Sequence, residues 1–399
     1  MSDRRRPRLG LEAASGAVIL TVLAASVGIV TCTPQQSVTL PTPNVVSGPS
    51  STITPATSAS TATPGPGPTT RPTFAVPSRP APGQLGETIS ICGTAFCIGS
   101  KPWFMYGASE YQSNPLTGID HPDGTVALAR QAHLNTIRLI NFYDDHGDPK
   151  LEPFSEARWR KLDAMVASAH AADMHVLLDL SDYRNVLWNS CVNPYTQDWG
   201  DYLKFVAGRT NTVTGTSYGV DPTVALVSIA GEPLPVGPHA FTDRTGTACS
   251  LNYTTADLVD FYTRTLREWA ALSTIPVNSG GLGYLVLDSG IDWQTIFALP
   301  DNAVCDIKTY GQMVNFITKV SAFCGSHNKP WIDEEFGWQQ ALGDDFRARQ
   351  FTTTNRQIRD HQGSGELFWN LGYQVKPTTY DIGTMTPLTF AAVVAGATG

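Results

Sequence analysis

Eight short apolar runs, separated by stretches of helical character, constrain this chain more than any other feature. The runs are Trp103–Gly107, Asn135–Ile140, His175–Leu180, Val224–Ala230, Ile275–Ser279, Val304–Tyr310, Pro330–Glu335 and Glu366–Asn370. The clearest helical stretch between them spans Ser155–Ala172. It sets Trp159, Leu162, Met165, Val166 and Ala169 on one face, with Ser155 placed to cap its start. Asp257–Leu272 repeats the pattern through Leu258, Phe261, Tyr262 and Trp269. Strands that alternate with helices pair in parallel. Eight such units in about 300 residues predict a closed (β/α)8 barrel rather than an open doubly wound sheet. No Gly-x-Gly-x-x-Gly follows the first run, which argues against a nucleotide-binding fold.

The barrel accounts for residues 85–399. Ahead of it, Arg4, Arg5, Arg6 and Arg8 precede an apolar stretch from Ala13 to Val30 that ends at Cys32. Residues 1–32 therefore read as a signal or anchor segment, with three forms open: a cleaved signal peptide, a lipoprotein signal lipidated at Cys32, or an uncleaved membrane anchor. Residues 33–84 are dominated by Pro, Thr, Ser and Gly and carry too little apolar surface to fold, so they read as a disordered tether. All three forms place the barrel outside the cytoplasm, secreted or held at the cell surface, with the N-terminal segment as its one link to a membrane. The formal charge of −8 leaves no basic footprint for nucleic acid. With Cys32 set aside, six cysteines remain, an even number that suits three disulfides in an exported domain. Proximity in sequence pairs Cys92 with Cys97 and Cys305 with Cys324, leaving Cys191 for Cys249. None has the spacing of a metal site.

In a barrel of this kind the chemistry sits at the C-terminal strand ends. The fourth run ends in Gly231-Glu232-Pro233 and the seventh in Glu334-Glu335-Phe336-Gly337. Two carboxylates facing each other across a barrel mouth are what a retaining glycosidase needs, one to attack the anomeric carbon and one to protonate the leaving oxygen. We assign Glu335 as nucleophile and Glu232 as acid/base. Because successive strand residues face opposite sides, Glu334 is expected to face the helices and to need a structural partner. Arg138, inside the second run, is placed to hold the nucleophile ionised. Tyr310, ending the sixth, is placed to hydrogen-bond it, and Trp369, in the eighth, to stack on a sugar ring. Asp182, Trp188 and Trp338, from the loops after strands three and seven, are further cleft candidates. The carboxylate pair implies no metal or organic cofactor.

At these residues the chain resembles glycoside hydrolase family 5, from Phe96-Cys97-Ile98-Gly99-Ser100-Lys101-Pro102-Trp103 through Arg138, Glu232-Pro233, Tyr310 and Glu335-Phe336-Gly337 to Trp369. Within that family it looks most like the endo-β-1,4-mannanase branch. The signs are Arg209-Thr210-Asn211-Thr212-Val213-Thr214-Gly215, then Tyr218 and Asp221-Pro222-Thr223 leading into strand four, and the Glu-Glu-Phe-Gly form of strand seven. The resemblance implies an extracellular enzyme acting on a β-linked polysaccharide, with mannan first. The alternatives are a β-glucanase, an exo-β-mannosidase, or a barrel that binds carbohydrate without cleaving it. Three positions depart from the family pattern: Gly231 stands where Asn is usual, Lys308 where His is usual, and Ser109 where strand one supplies Asn. The missing Asn removes a contact to the sugar's 2-hydroxyl, and Lys308 is a substrate-binding candidate, either to replace it or to meet an acidic substituent. Oligomeric state has no signature here.

Overall fold

The structure, a computed structural model, describes residues 88–110, 116–140, 153–243, 245–283, 289–311 and 314–398 of the 399-residue chain. The expected signal or anchor segment, Cys32 and the tether lie outside the described residues. Among the described residues no helix is long and apolar enough to cross a membrane.

Eight parallel strands form one sheet: Met105–Glu110, Thr136–Leu139, His175–Asp179, Val224–Ser228, Val277–Asn278, Cys305–Thr309, Trp331–Phe336 and Gly365–Phe368. Each pairs with its sequence neighbour except across the fifth and sixth, and the eighth pairs with the first. The gap between the fifth and sixth is bridged where Leu282 meets Ile307 in parallel, with the Leu282 amide 2.9 Å from the Asp306 carbonyl. The sheet thus closes into the expected barrel. All eight strands fall within or beside the runs expected from sequence. The first begins two residues late, because Trp103 belongs instead to an antiparallel sheet of Ile89–Cys92, Ala95–Ile98 and Lys101–Trp103.

Two cores divide the apolar residues by the alternation of each strand. One side of the strands, with Met105, Leu177, Leu226, Ile332 and Leu367, packs with Ile89 and Phe96 of the N-terminal sheet. The other packs against the helices, and every residue assigned to the apolar face of Glu156–Ala171 is buried there. Ser155 does occupy the N-cap of that helix, but its side chain accepts no capping hydrogen bond. The helix Thr255–Leu272 has the stronger start, a reciprocal box in which the Thr254 hydroxyl accepts from the Asp257 amide and the Asp257 carboxylate from the Thr254 amide.

All three expected disulfides are present, with Cα separations of 6.0 Å for Cys92–Cys97, 5.4 Å for Cys191–Cys249 and 6.3 Å for Cys305–Cys324. The second ties the turn after the helix Ser181–Trp188 to a hairpin, Gly237–Thr242 and Ala248–Tyr253, that is inserted after strand four. Cys191, Asp243 and Cys249 form a group of metal-ligand type, but its two sulfurs are bonded to each other.

Two carboxyls in the strands carry a cost. Glu366 is 1% exposed, and neither of its oxygens meets a hydrogen-bonding partner among the described residues. Burial pushes it up to about 8, against the pull of Arg359. Burial, aided by Asp120, does the same to Glu110, also to about 8. A raised folded pKa means that the fold binds protons the unfolded chain does not, so stability is fully present below the ordinary Glu range and is lost as pH rises through the folded value. The thermal midpoint should therefore fall as pH is raised from about 5 to about 8. Replacing both, Glu110→Gln with Glu366→Gln, should flatten that slope and stabilise the alkaline form by on the order of a few kcal/mol. Calorimetry across this range measures it, and an unchanged slope would show that the two groups do not carry it.

Candidate active site

The site is organised around Arg138 in strand two, which is fully buried. A guanidinium out of water needs carboxylates on its donors, and three surround it. Its Nε lies 3.0 Å from Glu334 and 3.1 Å from Asp179, its Nη2 2.5 Å from Asp179, and its Nη1 2.6 Å from Glu335 Oε2. The same Nη1 also donates to the Ser109 hydroxyl at 2.8 Å, which joins strand one to the cluster. Asp179, at the end of strand three, has a second role, its other oxygen accepting from the Ser181 amide at the start of the next helix.

Glu334 does not face the helices. It is fully buried, paired with Arg138, and accepts from the Ser228 hydroxyl at 2.6 Å. The strict alternation that assigned it outward is broken by a bulge. On strand six, Ile307 pairs with Asp333 and the next residue, Lys308, pairs with Glu335, so Glu334 is skipped. The register with strand eight shifts over the same stretch, between Asp333 and Phe336. An extra residue in a strand re-aims its neighbours, and here it lets both glutamates converge on one guanidinium.

Glu335 receives three donors. Besides Arg138, the Tyr310 hydroxyl donates to Oε1 at 2.5 Å and the Lys308 ammonium lies 3.0 Å from Oε2. Burial would push its carboxyl up, but Lys308, Arg138 and the Tyr310 hydroxyl together hold it below the ordinary carboxylate range. Tyr310 itself is pushed well up by burial and by the two glutamates, so it keeps its proton and remains a donor. Lys308 also approaches Glu232, at 3.6 Å from Oε2. With one ammonium within reach of both carboxylates, their Oε2 atoms are less than about 7 Å apart.

Glu232 is the more open of the two, its side chain 29% exposed. Its backbone has φ +52°, a left-handed conformation uncommon for a residue with a side chain. Neighbouring groups hold it there. Arg184 donates to the Gly231 carbonyl and, at 2.8 Å, to the Glu232 carbonyl. The Ser181 hydroxyl accepts from the Gly231 amide at 2.7 Å, and the Glu232 amide donates to the Gly281 carbonyl at 2.9 Å. Below the cluster, burial beside Glu334 keeps the Asp306 carboxyl well above its ordinary range, and Asn278 donates to it at 2.6 Å.

The structure therefore brings together Arg138, Gly231, Glu232, Lys308, Tyr310 and Glu335. Trp369 is half-buried, its amide bonded to the Phe336 carbonyl at 2.7 Å, so it stands beside strand seven. The other cleft candidates have neighbours of their own. Trp338 is packed against Phe336 and Phe351, 8% exposed, in the core between strand seven and the helices. Trp188 stacks on Phe241 of the inserted hairpin, ring centroids 4.7 Å apart. Asp182 is buried in the first turn of the helix after strand three, where the Asn185 amide reaches it at 3.3 Å. The acid that reaches Arg138 from that part of the chain is Asp179, an acid closing an apolar run, which is the signal that singled out Glu232 and Glu335. Ser181, Arg184 and Ser228 carry no comparable signal, since their roles depend on chain segments far apart in sequence.

No protein-family model matches this chain. It is 24% identical to mannan endo-1,4-beta-mannosidase 5 of Arabidopsis thaliana, over 70% of this chain and 77% of that protein. The chain resembles the family 5 mannanases. In fold it is similar to the endo-1,4-beta-mannanase of Rhizomucor miehei, with a TM-score of 0.61 at 17% identity, over 78% of this chain and all of that one. It is similar too to the glycoside hydrolase family 5 mannosidase of the same organism, with a TM-score of 0.57 at 14% identity, over 79% of this chain and 100% of that one. The likeness to mannanases expected from the motifs thus recurs in the comparison of whole chains.

The shared guanidinium yields a direct test. Arg138→Met leaves Asp179 and Glu334 buried without their paired cation, and Glu335 with Lys308 alone. Removing one partner of a buried ion pair costs about 3–5 kcal/mol, and denaturant unfolding should show a loss of that size. A loss under about 1 kcal/mol would mean that the cluster does not depend on Arg138.

Proposed function

We propose that this chain is a retaining glycoside hydrolase that cleaves neutral β-linked polysaccharide, mannan first, by double displacement. The observation that carries the reading is the state of Glu335, a buried carboxylate held ionised by Arg138, Lys308 and Tyr310, with Glu232 within reach of the same ammonium. A buried, ionised carboxylate is a nucleophile that needs no activation by base. In the first step Glu335 attacks the anomeric carbon while Glu232 gives its proton to the departing oxygen. In the second, Glu232 takes a proton from water, and that water displaces Glu335 from the same carbon. Tyr310 and Arg138 keep the Glu335 side chain fixed through both steps, which lowers the cost of orientation.

Charge balance favours a neutral sugar over an acidic one. Arg138 is matched by Asp179, Glu334 and Glu335, and Lys308 by Glu335 and Glu232, so neither cation is spare for a substrate carboxylate. Mannan as substrate rests on the relatives named above. In the same reading the N-terminal segment exports or anchors the chain, residues 33–84 hold the barrel off the surface, and the enzyme works outside the cytoplasm.

Hydrolysis of mannan, glucomannan, cellulose and xylan by the purified chain tests the activity, and proton NMR of the first-formed anomer tests retention. Glu335→Gln should lower kcat on the order of 10³-fold or more, since no nucleophile remains. Glu232→Gln should slow substrates with poor leaving groups far more than activated aryl glycosides, because the latter need no proton. An inverted first product, or equal losses on both substrate kinds in Glu232→Gln, would overturn these assignments.

A further inference from the structure

We propose that Lys308 is a catalytic residue whose ammonium holds the hydroxyl on carbon 2 of the reacting sugar. The inference rests on the reading of Glu335 and Glu232 given above.

Lys308 is almost wholly buried, its side chain 2% exposed, and it reaches its place across two positions that lack side chains. A Cβ on Gly281 would stand 2.9 Å from its Cε and closer still to its Cγ, and one on Gly231 would stand 3.4 Å from its Nζ. The stem therefore occupies space left open after strands four and five, and the ammonium ends beside both carboxylates, 3.0 Å from Glu335 and 3.6 Å from Glu232.

A carbon attacked by Glu335 and released towards Glu232 lies between those same carboxylates. The ammonium beside them meets one of the two ring neighbours of that carbon, the ring oxygen or carbon 2. The transition state resembles an oxocarbenium ion and builds positive charge on the ring oxygen. An ammonium there would oppose the reaction by plain Coulomb repulsion. Against carbon 2 it is instead a donor to the hydroxyl, a contact that strengthens towards the transition state. Its own charge is already offset by the two glutamates. Among the described residues beside Glu335, the Tyr310 hydroxyl is already committed as a donor to that carboxylate. Position 231 offers no side chain at all.

The test compares three aryl glycosides, the β-mannoside, the β-glucoside and the 2-deoxy-β-arabino-hexoside that both become when the 2-hydroxyl is removed. kcat/KM is measured for the full chain and for Lys308→Met. The ratio of the better hydroxylated substrate to the 2-deoxy one should fall at least about tenfold in the variant, since dividing by the 2-deoxy rate cancels general damage. Gly281→Ala, which keeps the lysine but pushes its stem aside, should lower the same ratio and serves where Lys308→Met does not fold. Calorimetric binding of mannose- and glucose-configured amidines, with and without the 2-hydroxyl, gives the same ratio without turnover. If rates fall but the ratio stays, Lys308 acts through Glu335 alone and the inference is overturned while the functional reading stands. If the unaltered chain neither cleaves nor binds any of these compounds, the functional reading falls and the inference with it.

Discussion

One guanidinium out of water dictates much of this barrel's mouth. Arg138 cannot be buried without matching charge, and it is matched three times, by Asp179, Glu334 and Glu335. Those partners come from strands three and seven, and the hydroxyls that complete the cluster, Ser109 and Ser228, come from strands one and four. With Arg138 itself in strand two, the cluster therefore joins five of the eight strands at their C-terminal ends. Loss of any member leaves another polar group buried and unpaired, which costs more than the pair itself contributes. The reactive carboxylate of the proposed mechanism is thus held in place by groups that the fold also needs.

Lys308 adds a second cation where Glu335 is already paired. Its presence depends on absences: no side chain at Gly231 and none at Gly281. Gly231 and Lys308 thus read as one coupled arrangement, in which the position after strand four carries no side chain and a long one enters from strand six. The loop that carries Glu232 shows similar coupling in its backbone. The left-handed conformation at Glu232 persists because Arg184, Ser181 and Gly281 all bond the peptides around it. Strained backbone of this kind survives where its surroundings over-determine it.

Much of the fold was legible because it rests on short-range pattern. Eight apolar runs with helical spacing between them leave a parallel barrel as the economical way to bury both strand faces, and Trp159, Leu162 and Met165 fell on the buried face that their spacing required. The glutamates at strand ends were legible for the same reason, since an acid that closes a buried run has a defined address in a barrel. The pairing of six cysteines followed from their count and proximity. The errors also have physical causes. Trp338 sits in a loop by sequence, but the ring found a pocket beside Phe351, and an aromatic gains more there than in an open cleft. Trp103 reads as the start of a strand because antiparallel and parallel partners cannot be told apart from one run.

The sequence by itself determined the strand count, the helix faces and which acids stand at strand ends, because periodicity and chain order carry that information. Only the tertiary structure decided that Glu334 and Glu335 share a cation, that Asp179 rather than Asp182 completes the cluster, and that Lys308 lies beside both proposed catalytic carboxylates. Each of these depends on register between strands far apart in the chain. A single bulge at Glu334 changes that register, and hydrophobic pattern does not encode where one extra residue will be taken up.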